Sequence, residues 1–245
     1  MDTKIVKIEE DNIDQEMIEE AGKIIRSGGL VAFPTETVYG LGGDGLNEAS
    51  SGKIYAAKGR PSDNPLIVHI AGMEALPKIA RKIPVAAQKL AERFWPGPLT
   101  MIFEKTDCVP YATTGGLNTV AVRMPSNKIA RALIEASGGY IAAPSANLSG
   151  KPSPTEARYV IEDMNGRIDM IIDGGAADIG LESTIIDLTG ERPIILRPGY
   201  ITEEMLEDTL GSVEMDKTVI DGNSSQPPKA PGMKYRHYAP KGSLT

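Results

Sequence analysis

Short apolar runs alternate with amphipathic stretches along most of the chain, and this alternation predicts strands interleaved with helices. From Ile13 to Ile25 the apolar residues recur every three or four positions, which is typical of a helix with one buried face, and Gly28 and Gly29 end it. The predicted strands are residues 4–8, 30–33, 66–70, 99–104, 119–124, 140–143, 169–172, 183–188 and 193–196. The further predicted helices are residues 47–58, 73–81, 84–94, 128–136, 155–164 and 202–210, and residues 39–45 are predicted to form a glycine-rich loop.

This order of elements indicates an α/β fold built on one sheet, and several short links permit antiparallel neighbours within it. The pattern changes after Gly211. Residues 222–232 are rich in Gly, Asn, Ser, Gln and Pro and show no periodicity, which is typical of a linker. We therefore expect one α/β domain over residues 1–211 and a linker segment over residues 212–245.

Composition and charge exclude several classes of protein. Hydrophobic residues make up 41% of the 245 positions and charged residues 24%, which excludes disorder of the whole chain. A net charge of −7 argues against a protein that binds the phosphate backbone of nucleic acids, and 5% aromatic residues argue against one that stacks bases. The single cysteine, Cys108, forbids an internal disulfide, and the chain has neither a signal-peptide start nor an apolar run of membrane-spanning length. We therefore expect a cytoplasmic protein with no membrane partner.

Arginines stand where predicted strands end. Arg123 closes the strand over residues 119–124, Arg197 follows the strand over residues 193–196, and Arg60 lies in a Pro-rich loop after Lys58. Ligands of open α/β sheets bind at strand ends, and the planar guanidinium suits phosphate or carboxylate. One such arginine is usually part of a structural ion pair, but several of them in an acidic chain favour an anion pocket.

Other catalytic patterns fail on their context. No P-loop sequence is present, and the glycines at positions 40–45 lie too far after the preceding strand for a dinucleotide turn. The two histidines, His69 and His237, have no partner at metal-ligand spacing, so we predict no metal site. Ser145 lacks the elbow motif of a hydrolase. His69 lies in the middle of a predicted strand, where a satisfied core histidine and a ligand-binding histidine both remain open.

Four blocks of sequence resemble the motifs of the YrdC/Sua5 family, in the family's order over residues 10–200. They are Gly-Leu-Val-Ala-Phe-Pro-Thr-Glu-Thr-Val-Tyr-Gly-Leu at 29–41, Lys-Gly-Arg-Pro at 58–61 with Asn-Pro-Leu at 64–66, Pro-Ser-Ala-Asn-Leu-Ser-Gly at 144–150, and Ser-Thr-Ile-Ile-Asp at 183–187 with Leu-Arg-Pro-Gly at 196–199. The resemblance implies a twisted mixed sheet, parallel and antiparallel, flanked by helices and carrying a concave electropositive cavity.

The same resemblance implies an enzyme activity. Members of the family make L-threonylcarbamoyladenylate from L-threonine, bicarbonate or CO2, and ATP, with release of pyrophosphate. The product serves the N6-threonylcarbamoyl modification of adenosine 37 in tRNA through a downstream transferase machinery. Mg²⁺ is expected to arrive with the nucleotide and not on a site held by the protein. tRNA itself is expected at most as a weak partner.

The positions that match the family's motifs are expected to have the same binding roles as in the family. Around L-threonine they are Thr35, His69, Arg123, Ala143 and Ser183. Around ATP they are Lys58, Arg60, Asn64, Thr119, Ser145, Ser153 and Arg197. No residue looks like a covalent nucleophile, so Lys58 and Arg60 are expected to act in catalysis by positioning the substrates.

The end of the chain also resembles part of the family. Residues 231–240, Pro-Gly-Met-Lys-Tyr-Arg-His-Tyr-Ala-Pro, are similar to the interdomain linker of the longer Sua5-type members, whose second domain we expect to be absent here. Within the linker segment 212–245, we expect residues 222–232 to let residues 233–240 fold back over the cavity as a lid, with Tyr235 or Tyr238 contacting ATP. The alternative is that residues 233–240 only pack against the second domain. Two alternatives to the whole assignment are a related carbamoyl-adenylate-forming domain and a double-stranded RNA or tRNA-binding module.

Overall fold

Residues 2–216 are described by the structure, a computed structural model, and they form a sheet covered by helices. The strands are β1 (Lys4–Lys7), β2 (Val31–Phe33), β3 (Gly40–Asp44), β4 (Ile67–His69), β5 (Leu99–Glu104), β6 (Thr119–Arg123), β7 (Ile141–Ala143), β8 (Met170–Asp173), β9 (Thr184–Asp187), β10 (Ile194–Arg197) and β11 (Glu214–Met215). The helices are α1 (Gln15–Arg26), α2 (Glu48–Lys58), α3 (Leu76–Ile79), α4 (Val85–Phe94), α5 (Tyr111–Thr114), α6 (Lys128–Ala136), α7 (Ala157–Met164) and α8 (Glu203–Leu210), with a 3-10 turn at Met73–Ala75.

The sheet is mixed, as expected. Its order is β1-β8-β2-β3-β7-β4-β6-β5-β9-β10-β11. Strand β6 is parallel to β4 and antiparallel to β5, and β5 is parallel to β9. These pairings place His69 opposite Arg123 and Thr100 opposite Arg123. Residues that are far apart in the sequence therefore meet along the ends of the central strands.

Helices cover both faces of the sheet near its β1 end and one face near its β11 end. Helices α1 and α6 pack on one face of β2, β7 and β8, and helices α2 and α7 pack on the other. Helices α3, α4 and α8 pack against Met101 and Ile186. Ile102 and Ile185 alternate with those residues along β5 and β9, and they form a smaller apolar cluster on the opposite face.

The expectation of a glycine-rich loop at residues 39–45 is wrong. Gly40–Asp44 is strand β3, which pairs antiparallel with β2 and with β7. A Cβ atom on Gly42 would lie 2.8 Å from Ile141 Cγ2 and 2.9 Å from Phe33 Cε1. Glycine is depleted in strands in general, but here its missing side chain is what lets Phe33 lie over the strand.

Most other predicted elements are confirmed to within a few residues. The helix expected at 73–81 is shorter and splits into the 3-10 turn and α3, and the short helix α5 and strand β11 were not anticipated. No helix of residues 2–216 is long and apolar enough to cross a lipid bilayer. The linker and lid expected over residues 212–245 fall mostly outside the described residues and stay predictions.

Candidate functional site

A cavity of about 150 Å³ lies where the central strands end. Nine of the residues expected to bind ligand line it, drawn from the loops after β2, before β4 and between β7 and α7, and from strands or strand ends at β4, β6, β7, β9 and β10. They are Thr35, Arg60, His69, Arg123, Ala143, Ser145, Ser153, Ser183 and Arg197. The sheet therefore brings together residues from both expected subsites in one cavity.

The loop after β2 is folded around Thr35. Its hydroxyl oxygen donates to the backbone oxygen of Val38 at 2.6 Å and accepts from the backbone N–H groups of Thr37 and Val38. These are the local turn contacts that a threonine after a strand offers. Tyr39 closes the loop, because its hydroxyl donates to the backbone oxygen of Gly175 at 2.6 Å. The loop thus holds a fixed shape beside the cavity.

Arg123 is held by three protein contacts at the edge of the cavity. Its guanidinium is 5% exposed, and its Nη2 lies 2.7 Å from Glu36 Oε1. Nη1 donates to Thr37 Oγ1 at 2.8 Å, and Nε donates to the backbone oxygen of Gly97 at 3.4 Å. A guanidinium has five N–H groups in a planar fork, so further donors remain for a bound anion.

His69 is neutral in this setting. Burial, together with the positive charge of Arg123, lowers its pKa to about 3, although the backbone oxygens of Ile67 and Ile141 oppose the shift. Its Nδ1 lies 3.1 Å from the backbone oxygen of Ile67. A neutral imidazole whose Nδ1–H is held by a carbonyl presents Nε2 as a hydrogen-bond acceptor. Of the two interpretations left open by the sequence, the cavity position favours the ligand-binding one.

Arg197 and Ser183 contact each other where they line the cavity. The register of β10 against β9 shifts between Ile195 and Arg197, a bulge of the kind that re-aims a side chain. Nη2 of Arg197 donates to the backbone oxygen of Ser183 at 2.8 Å and to its Oγ at 3.2 Å. Burial lowers the pKa of Arg197 to about 10, while the carboxylate of Glu182 opposes this shift. Arg197 therefore stays cationic at neutral pH.

Lys58 supports the cavity without lining it. Its Nζ donates to the backbone oxygens of Ser145 and Asn147, each at 2.5 Å, and lies 3.4 Å from Asn147 Oδ1. Burial lowers the pKa of Lys58 to about 7, with a further contribution from Arg60 that Asp163 opposes. These hydrogen bonds direct Nζ of Lys58 at the loop that contains Ser145. The residue is 3% exposed.

Two further expected residues lie away from the cavity wall. Asn64 is 2% exposed, and its backbone oxygen accepts from Arg60 at 3.2 Å. Thr119 begins strand β6, whereas Arg123 ends it, and Thr119 lines a separate cavity with Lys105. Tyr235 and Tyr238 lie outside the described residues. The assignments of these four residues to ATP stay predictions.

Among the polar residues at the site, sequence reasoning did not single out Glu36, Thr37, Tyr39 and Glu182. Three belong to the first motif block, which pointed to the right loop but gave no reason to select Glu36 over its neighbours. Glu182 precedes Ser183 and accepts a hydrogen bond from Ser153 at 2.7 Å. No local pattern could mark it, because Ser153 reaches it from another part of the chain.

The cavity combines three arginines, one neutral histidine and several hydroxyl groups. Such a set can hold carboxylate and phosphate groups side by side and stabilise negative charge that develops between them. Among residues 2–216 there is no cluster of three His, Cys, Asp or Glu side chains that could hold a metal ion.

Comparison with known proteins identifies the family. The Sua5/YciO/YrdC family model, described as "Telomere recombination", matches residues 23–199. A threonylcarbamoyl-AMP synthase of Pyrococcus abyssi is 54% identical over 99% of this chain and 71% of its own length, and one of Bacillus subtilis is 52% identical over 93% and 65%. The crystal structure of P. abyssi Sua5 complexed with L-threonine matches with a TM-score of 0.94 over 97% of this chain and 69% of that one.

A second family model corrects one expectation. The model of the threonylcarbamoyl-AMP synthase C-terminal domain matches residues 201–245. The expectation that this domain is absent is therefore wrong, because the similarity in the tail, interpreted as a linker alone, belongs to the C-terminal domain. The chain spans about two thirds of the length of the relatives named above. With a family model over most of its length and relatives more than half identical, the chain belongs to the Sua5/YciO/YrdC family, the family of the threonylcarbamoyl-AMP synthases.

Proposed function

We propose that this chain forms L-threonylcarbamoyladenylate from L-threonine, bicarbonate or CO2, and ATP, and releases pyrophosphate. The observation that carries the proposal is that Arg60, Arg123, Arg197 and His69 line one cavity, and we assign Arg123 and His69 to one end of it and Arg60 and Arg197 to the other. One end suits a carboxylate and the other a polyphosphate. The product would supply the threonylcarbamoyl group for modification of adenosine 37 in tRNA by a separate transferase.

The threonine end of the cavity is assigned to Arg123, His69, Thr35, Ala143 and Ser183. Arg123 binds the carboxylate through the N–H groups that its protein partners leave over. The acceptor nitrogen of His69 faces a donor of the amino acid, either its hydroxyl or its amine, because the imidazole is neutral. A structure of the P. abyssi relative complexed with L-threonine supports this substrate.

The nucleotide end is assigned to Arg60, Ser145, Ser153 and Arg197, with Lys58 acting through Ser145. Of the described residues that line the cavity, Glu182 is the one with a carboxylate. Mg²⁺ is proposed to arrive on the nucleotide, where it supplies charge neutralisation of the phosphates. The roles assigned to the side chains do not depend on this ion.

The proposed reaction requires that the protein position its substrates, and it requires no covalent intermediate with the protein. The threonine nitrogen, as the neutral amine, attacks the carbon of bicarbonate or CO2 and forms an N–C bond, which gives a carbamate. With bicarbonate the amine proton and the departing hydroxide leave as water, and with CO2 the amine proton passes to solvent. A carbamate oxygen then attacks the α-phosphorus, and the bond from that phosphorus to the bridging oxygen of pyrophosphate breaks. Arg60 and Arg197 stabilise the charge on the phosphates in this second step, and holding the reactants in line supplies much of the rate.

Pyrophosphate release tests the proposal directly. With Mg²⁺, ATP and bicarbonate present, release should require L-threonine, and L-serine should be the nearest competitor because one methyl group in a pocket is worth only about 1–3 kcal/mol. D-threonine is the matched control for the geometry of the amino-acid end. Equal release with and without L-threonine would contradict the assignment.

A further inference from the structure

Glu36 is a buried carboxylate to which the proposed function gives no task. Its side chain is 5% exposed, and neither carboxylate oxygen accepts a hydrogen bond from any described residue. Burying an unpaired carboxylate is costly, and a nearby opposite charge is the usual compensation. That charge is Arg123, whose Nη2 lies 2.7 Å from Glu36 Oε1.

The backbone places Glu36 behind the cavity. Thr35 and Thr37 line the cavity, but Glu36 between them does not. Its backbone oxygen accepts from the N–H of Ile179 at 2.9 Å, which ties the loop to the segment before β9. The carboxylate therefore reaches Arg123 from the protein side and leaves the cavity side of the guanidinium to a ligand.

Three contacts from two loops define the orientation of Arg123. Glu36 and Thr37 belong to the loop after β2, and Gly97 belongs to the turn before β5. Thr37 and Gly97 offer the guanidinium neutral acceptors, whereas the ion pair with Glu36 joins two full charges. Charged contacts are the stronger ones, so Glu36 contributes most to fixing the guanidinium.

We propose that Glu36 is a positioning residue for Arg123, which it fixes and partly neutralises so that the remaining N–H groups of Arg123 point at the carboxylate of the amino-acid substrate. This inference rests on the proposed function. Glu36 also offsets a crowded positive charge, since Arg123 shares the cavity with Arg60 and Arg197. Without Glu36, Arg123 would be repelled by these arginines and would shift away from its bound position.

The test replaces Glu36 by an amide of the same size. In Glu36→Gln, calorimetry should show L-threonine binding weakened about tenfold, the loss of roughly one charged contact, and ATP binding changed less than about twofold. In pyrophosphate release, the KM for L-threonine should rise while kcat at saturating L-threonine is largely kept. Weakening of both ligands to the same extent would overturn the proposal.

A double-mutant cycle separates positioning from a general structural effect. In an Arg123→Lys background, which keeps the charge but loses the planar fork, Glu36→Gln should weaken L-threonine binding less than about twofold further. An equal loss in both backgrounds would overturn the proposal, because Glu36 would then not act through Arg123. If Glu36→Gln does not fold, Glu36→Asp, which keeps the charge but shortens the side chain that reaches Arg123, should raise the KM for L-threonine alone, and an unchanged KM would overturn the proposal.

Asp169→Asn is the matched control. Asp169 Oδ2 accepts from the backbone N–H of Leu30 at 2.8 Å at the opposite end of β2. This variant loses a carboxylate that holds the other end of β2, so it should lower thermal stability and leave L-threonine affinity unchanged. Weaker L-threonine binding in the control would show that any loosening of β2 has this effect and would overturn the proposal. Failure of the proposed function is distinguishable, since the unmodified protein would then not bind L-threonine at all.

Discussion

A buried ammonium group shows how a single residue shapes the nucleotide end of the cavity. Lys58 donates to the backbone oxygens of Ser145 and Asn147, so the loop is held by a charge beneath it. We predict that Lys58→Met weakens ATP binding about tenfold or more, because charged hydrogen bonds are worth about 1.5–3 kcal/mol, and changes L-threonine binding much less. Calorimetry with each ligand alone measures both effects.

The control lies on the same helix. Lys53 Nζ donates to the backbone oxygen of Gly28 at 2.5 Å, away from the cavity. Lys53→Met should leave ATP affinity unchanged. If Lys58→Met bound ATP normally, the loop would hold its shape without the ammonium.

Local sequence identified the cations of the site but not their partners. Arg123 and Arg197 could be selected because each ends an apolar strand, which is a local signal. Glu36 could not, since its significance comes from Arg123, which only the fold brings near. Lys58 was selected from its motif, but whether its ammonium would contact a ligand or a loop depends on packing between distant segments.

Among the elements, the β2–β3 hairpin depends on a glycine that has no room for a side chain. Gly42→Ala should destabilise the protein by about 1–3 kcal/mol, the usual cost of overpacking, because its Cβ would press on Ile141 and Phe33. Gly52 in α2 provides a control of opposite sign. Nothing lies within 4 Å of its added Cβ, so Gly52→Ala should stabilise by roughly 0.5–1 kcal/mol. Chemical denaturation measures both, and equal effects would refute the packing argument.

The strands that could be predicted from the sequence are those whose side chains show a clear pattern. Leu99–Glu104 and Thr119–Arg123 were predictable because apolar and β-branched residues mark buried strands. Strand β3 was not, since Gly40, Gly42 and Gly43 show no such pattern and the strand exists only because β2 and β7 pair with it. The order of the strands in the sheet was likewise beyond any local signal.

For the whole molecule, the neutral state of His69 couples stability to pH. Its pKa is lowered to about 3 in the folded protein, against 6.5 for the ordinary group, so between these values the unfolded chain binds the extra proton. Stability should therefore fall as the pH drops below about 6.5, by up to about 1.4 kcal/mol per pH unit from this group. Urea unfolding at about pH 5 and about pH 7.5 measures the slope.

The comparison with His69→Gln isolates this contribution, because the acidic groups that also titrate are common to both proteins. The variant should lose less stability than the unmodified protein over the same interval. Parallel pH profiles would mean that the pKa of His69 is not lowered in the folded protein.

The parallel pairing of β5 with β9 has a consequence during synthesis on the ribosome. Strand β5 ends at Glu104, but its parallel partner β9 begins only at Thr184. Arg197, which also lines the cavity, is synthesised later still. At roughly 5–20 residues per second, several seconds of translation separate the two strands. For that interval the nascent chain carries an apolar strand with one open edge, which is a template for pairing with other chains. Synonymous codons that slow translation between the two strands should therefore increase aggregation without changing the finished protein.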